Sequence, residues 1–216
     1  MPPKDRPRAT PGTPSIIPVF PLLLLETMRD MDRPEEVLEG EDFSLSMPRR
    51  LGLSDVVYTQ IHRFREEVKR KSLQTSTTVE DLIRLVIRRP DAEEIFAEAG
   101  RRVARWAWQQ RSGAFRRSVR LLPASLSLRS ARRATERLFA QLVGDAEMAV
   151  TDKPIGAVIT GSVTSRADPG GAACAFYTGV LSELVSRYTG RRYAAQHPRC
   201  AARGADRCEW RALVVA

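Results

Sequence analysis

The sequence predicts an α+β domain, with helices packed on one face of a small antiparallel sheet and a disordered N-terminal tail ahead of them. Three observations lead there. Residues 1–15 hold five prolines among polar residues, a composition that does not sustain a packed core. From Ser54 to Leu142 apolar residues recur at helical spacing, and after Glu147 the pattern changes to short alternating runs broken by turn signals. Helices followed by hairpins are the order of an α+β layer.

Along the chain, Leu22 to Met31 reads as a short helix, and the acidic stretch from Glu35 to Asp42 reads as linker. Residues 1–50 are therefore assigned to an extension and residues 51–216 to the domain. Within the domain, Val57, Ile61, Phe64 and Val68 mark a first helix capped by Ser54. A second is expected over 79–89, with Thr78 as its cap and Pro90 as its stop. Asp91 and Glu94 resemble a capping box opening a third, which carries Ile95, Ala99, Val103 and Trp106 on one face. Gly100 inside that helix costs about 1 kcal/mol relative to alanine, which points to close backbone packing. A fourth helix is expected over 130–142. Strands are expected over 147–151 and 157–163, a helix over 171–188 closed by Gly190, and strands over 193–197 and 208–215. The helix between the two hairpins leaves the strand order open.

The net charge is +9, and residues 84–137, with 14 arginines against 5 acids, carry an excess equal to all of it. Such a patch could draw nucleic acid or an acidic partner. No aromatic or glycine-rich recognition motif accompanies it, so solvated helix faces are the favoured reading. The apolar run from Ile16 to Leu25 follows basic residues as a secretory signal would. Pro18 and Pro21 interrupt it, Glu26 ends it, and it is too short to span a bilayer. The three cysteines are read as reduced thiols in a cytoplasmic protein.

Those three cysteines, with one of only two histidines, form the pattern C-x22-H-x2-C-x7-C through Cys174, His197, Cys200 and Cys208. Thiolate and imidazole are the ligands tetrahedral zinc prefers. Four protein ligands leave no open position, so such a site would be structural. The long spacer is set only by the fold, and three small buried thiols with a surface histidine would give the same spacing.

Residues 95–215 resemble the 4-vinyl reductase domain family, described as related to the TRAPP Bet-family subunits and the haem–NO-binding sensors. The matching stretches are Ala97 to Arg102, Leu142-Val143-Gly144, Cys174 to Gly179, and Cys200 to Trp210. The resemblance implies a compact domain, often a homodimer, that holds a small hydrophobic or aromatic molecule between helices and sheet. Aromatic-responsive members use a zinc site of cysteines plus one acidic residue. The cysteines match in spacing, and His197 falls where the acidic residue would be. The regulators continue into an ATPase module and a DNA-binding domain, whereas this sequence ends at Ala216; a stand-alone transcription activator is not expected.

The expected reading is a zinc-stabilised ligand-binding or sensory module, with Thr178, Ala195, Tyr177, Val150 and Trp106 as candidate ligand contacts and the extension as a surface for a protein partner. An accessory or carrier role in tetrapyrrole metabolism and a basic interaction module are the alternatives. Trp106 and Trp108 lie two apart, so one is expected in the core and the other near the surface. His62 has no triad partners. No phosphate loop, nucleophile elbow or zincin motif is present, so catalysis is not the favoured reading.

Overall fold

The computed structural model describes residues 15–32 and 55–215. The proline-rich tail, the acidic linker and the Ser54 cap lie outside the described residues, except that Ser15 is included. Eight helices are labelled in chain order: α1 Val19–Met31, α2 Asp55–Arg70, α3 Ser76–Val86, α4 Ala92–Gln109, α5 Gly113–Ser118, α6 Ala124–Leu142, α7 Val163–Ala167 and α8 Ala175–Thr189. The strands are β1 Glu147–Asp152, β2 Ile155–Thr160, β3 Tyr193–Arg199 and β4 Cys208–Val214. They form one antiparallel sheet in the order β1-β2-β4-β3, which settles the topology the sequence left open. The chain is α+β, as expected.

The core is built around α8. Phe176, Tyr177, Val180, Leu181, Leu184 and Val185 are all buried, so this helix is apolar on more than one face and sits between α4 and α6 on one side and β3 and β4 on the other. Its closest neighbour is α4, and the two backbones meet at glycines. A Cβ on Gly100 would stand 2.0 Å from the Phe176 carbonyl oxygen, and one on Gly179 would stand 2.0 Å from that of Ala97. The close packing expected at Gly100 is thus present, and Gly179 supplies its other half.

Helix boundaries differ where polar side chains compete for the caps. The cap of α3 is Thr75, whose hydroxyl accepts from the Thr78 amide at 3.2 Å, so the helix starts and stops three residues before the expected limits. Asp91 makes no side-chain cap; its carboxylate accepts from Arg89 instead, at 2.8 and 2.9 Å. On α4 it is Trp108 that enters the core, at 4% exposure, while Trp106 is half-buried. The short helices α5 and α7 were not expected; each is capped by a serine hydroxyl, Ser112 and Ser162, which only local geometry reveals.

Helix α1 begins three residues earlier than expected and belongs to the core, although it lies within the stretch assigned to an extension. Val19, Phe20, Leu24, Leu25 and Met28 are buried, and Phe20 stacks on Phe176 with ring centroids 3.9 Å apart. The signal-like run is therefore core helix. Among the described residues no helix is long and apolar enough to cross a membrane. In the basic segment Arg84, Arg89, Arg101, Arg102, Arg105 and Arg132 each hold a carboxylate, which accounts for part of the charge excess as ion pairs.

Candidate metal centre

Four segments deliver four donor side chains to one point. Asp168 prepares the first: its carboxylate accepts from the Gly170 amide at 2.8 Å and the Ala173 amide at 2.7 Å, folding residues 168–174 into a turn. That turn runs into a single 3₁₀ turn, Ala172–Cys174, and places Cys174 at the entry to α8. Gly171 adopts φ +81°, and a Cβ there would meet Cys200 Sγ at 3.1 Å, so the position needs glycine on both counts.

His197 comes from an irregularity in β3. Gln196 pairs with Arg211 and Arg199 with Glu209, so His197 and Pro198 together stand opposite Trp210 alone. This two-for-one bulge re-aims the imidazole. Cys200 follows the strand, a 3₁₀ turn at Ala201–Arg203 reverses the chain, and Cys208 opens β4.

The donor atoms of Cys174, His197, Cys200 and Cys208 all lie within 4.8 Å of one another. Cys174 Sγ and Cys200 Sγ are 4.0 Å apart, and all three cysteines are free thiols and buried. A tetrahedron with metal–sulfur bonds of about 2.3 Å has sulfur–sulfur edges of about 3.8 Å, so closure on an ion needs only small shifts. The Nε2 atom of His197 is buried and has no hydrogen-bond partner, a condition that costs about 1–3 kcal/mol unless an acceptor or a metal answers it. The donor set and the orphaned nitrogen both fit a metal ion.

The thiols are electrostatically unequal. Cys208 is held well below the ordinary thiol range, chiefly because the Cys174 thiol hydrogen-bonds to it, with further help from His197 and from the Ala201 amide, which donates to Cys208 Sγ at 3.3 Å. The same pairing with Cys208, together with burial, pushes Cys174 up. The cluster thus favours one thiolate from the outset, and an ion's positive charge would be needed to hold the others deprotonated.

The ring of His197 lies against Trp210, and the Trp210 indole N–H donates to Thr178 Oγ1 at 3.1 Å. His197 and Thr178 share the wall of an open cleft of about 880 Å³ with Ala97, Ala175 and Arg203. The other candidate ligand contacts do not gather there. Tyr177 is wholly buried among Phe139, Phe176 and Trp210, and its hydroxyl donates to the Leu142 carbonyl at 3.4 Å. Ala195 is half-buried in β3 and gives its amide to Ser182, Val150 is half-buried in β1, and Trp106 lines a separate cleft between α4, α6 and α8. Sequence reasoning missed Asp168, Gly171 and Trp210 as supports of the centre; the Asp168-Pro169-Gly170 turn signal was the available hint.

The family model of the 4-vinyl reductase domain matches residues 157–213. This span runs from β2 into β4 and contains all four donors; the stretches at 97–102 and 142–144 lie outside it. No curated protein and no solved structure matches the chain.

Proposed function

From a chain whose residues 157–213 form a 4-vinyl reductase domain, we propose a zinc-stabilised module that binds or senses a small hydrophobic or aromatic molecule. The observation that carries this reading is the meeting of three thiols and an imidazole inside the span that the family model matches. Cys174, His197, Cys200 and Cys208 would hold the ion, which would tie the start of α8 to the β3–β4 hairpin and leave no position open for water. Its role is structural, and the protein acts by binding rather than by catalysis.

The ligand site we assign is the cleft beside His197, where Thr178 presents a hydroxyl and Ala97 and Ala175 present apolar surface. A molecule seated there touches the wall formed by a metal ligand, so its occupancy can be felt by the hairpin. The size of the cleft, about 880 Å³, is toward the upper end for small-molecule sites and favours a second reading, a carrier for a tetrapyrrole.

Native mass spectrometry with elemental analysis tests the metal: one zinc per chain is expected, and reduced protein that takes up none after zinc reconstitution would overturn the centre. Absorbance titration with a chlorin tests the second reading, and the absence of a saturable spectral change at micromolar concentrations would remove it.

A further inference from the structure

A second cleft, of about 440 Å³, opens where α4, α5 and α8 meet. It shares no lining residue with the cleft beside His197. Its wall carries four guanidinium groups, Arg105 from α4, Arg116 and Arg117 from α5 and Arg187 from α8, together with Trp108 and Gln109. None of its lining residues is acidic.

The counter-charges that do exist reach in from outside. Arg187 pairs with Glu183 at 2.7 Å along α8, and Arg105 pairs with Glu98, which also serves Arg101 and Arg102. One carboxylate spread over three arginines leaves an excess of positive charge. Arg116 Nε is buried and makes no hydrogen bond, so a desolvated donor faces the site without an acceptor. The frame beneath is rigid: Trp108, Phe115 and Tyr188 pack edge to face, with centroids 4.9 to 6.4 Å apart, and lock α5 onto α4 and α8. Four like charges on a fixed frame repel one another, and an anion relieves that repulsion.

We propose that this cleft is a binding site for a small molecule bearing a multivalent oxyanion, held by guanidinium forks from α5 with Arg105 and Arg187 flanking it. Phosphate and carboxylate share the planar or tetrahedral oxygen geometry that arginine binds in pairs. Helix α5 buries none of its residues, so its arginines can be replaced without disturbing the core.

The test is calorimetric titration of the full chain with inorganic pyrophosphate and, separately, with citrate. At low salt, saturable one-to-one binding of at least one of them is expected in the micromolar range, weakening as ionic strength rises. Which anion binds more tightly distinguishes phosphate from carboxylate chemistry. Joint replacement by Arg116→Ala and Arg117→Ala should weaken binding on the order of tenfold or more, while Arg63→Ala on α2 should leave it unchanged. Chelator treatment should leave it unchanged as well, which separates this site from the metal centre. Failure of both anions to saturate, equal binding by the double variant, or tight binding of duplex DNA without small-anion saturation would each overturn the proposal.

Discussion

The imidazole of His197 lies flat on the indole of Trp210, with ring centroids 4.4 Å apart and planes within 4°. Trp210 in turn is held by Thr178 through its N–H and by Tyr177 through an edge contact with centroids 5.2 Å apart. The one nitrogen donor of the candidate centre is therefore aimed by an aromatic side chain that itself ligates nothing.

From this arrangement, Trp210→Phe is expected to lower zinc affinity on the order of tenfold while the fold persists, because the support of a ligand is loosened rather than the ligand lost. Competition with a chromophoric chelator measures it, and unchanged affinity would show that the stack is incidental. Trp210→Ala removes a buried ring as well and should cost about 3–5 kcal/mol of stability.

Replacing Cys200 by serine removes a ligand from the hairpin side of the cluster. With free zinc about 100-fold above its dissociation constant, wild-type protein gains about 2.7 kcal/mol, or roughly 5–10 °C in melting temperature for a chain of this size. Cys200→Ser should show no such gain and should melt with the chelator-treated wild type. A zinc-dependent shift in the variant would contradict the assignment.

Gly179→Ala tests the contact between α4 and α8. A methyl group 2.0 Å from the Ala97 carbonyl oxygen has backbone, not a flexible side chain, in its way. The helices must separate, and a loss of about 3 kcal/mol in denaturant unfolding is expected. Gly190→Ala, where nothing lies within 4 Å of the added group, meets no neighbour and is penalised only for its left-handed backbone, φ +70°.

Asp145 gives a pH-dependent prediction. Burial raises its carboxyl, but hydrogen bonds from Ser76 and Arg166 outweigh this and hold it below the ordinary aspartate value of 3.8. Its contribution is present above that value and is lost as pH falls below it. The side chain is partly solvated, so the loss is about 1 kcal/mol or less. Asp145→Asn should reduce stability at neutral pH and flatten its decline in acid, read by fluorescence-monitored unfolding between about pH 2 and pH 7.

Much of the candidate centre was legible in the sequence because its donors are chemically rare. Three cysteines and one of two histidines stand out in any chain. Their supports were not legible: Asp168 and Trp210 are ordinary residue types whose roles arise from one amide, one ring and one bulge. The ligand contacts fared differently, since Tyr177 and Thr178 are adjacent on α8 yet one is packed in the core and the other lines a cleft. Helical periodicity gives a face, but what covers that face depends on segments far away in the chain, as α1 shows by packing onto Phe176.

By itself the sequence determined the α+β class, the extent of most helices and strands, the need for a close crossing at Gly100, and the identity of the four donors. Each of these follows from local periodicity or from residue chemistry. Only the tertiary structure decided the strand order β1-β2-β4-β3, the inclusion of α1 in the core, the choice of Trp108 over Trp106 for burial, and the convergence of Cys174 with a hairpin more than twenty residues away. Those depend on which surfaces meet, and such meetings are selected by packing energy summed over the whole molecule rather than by any one segment.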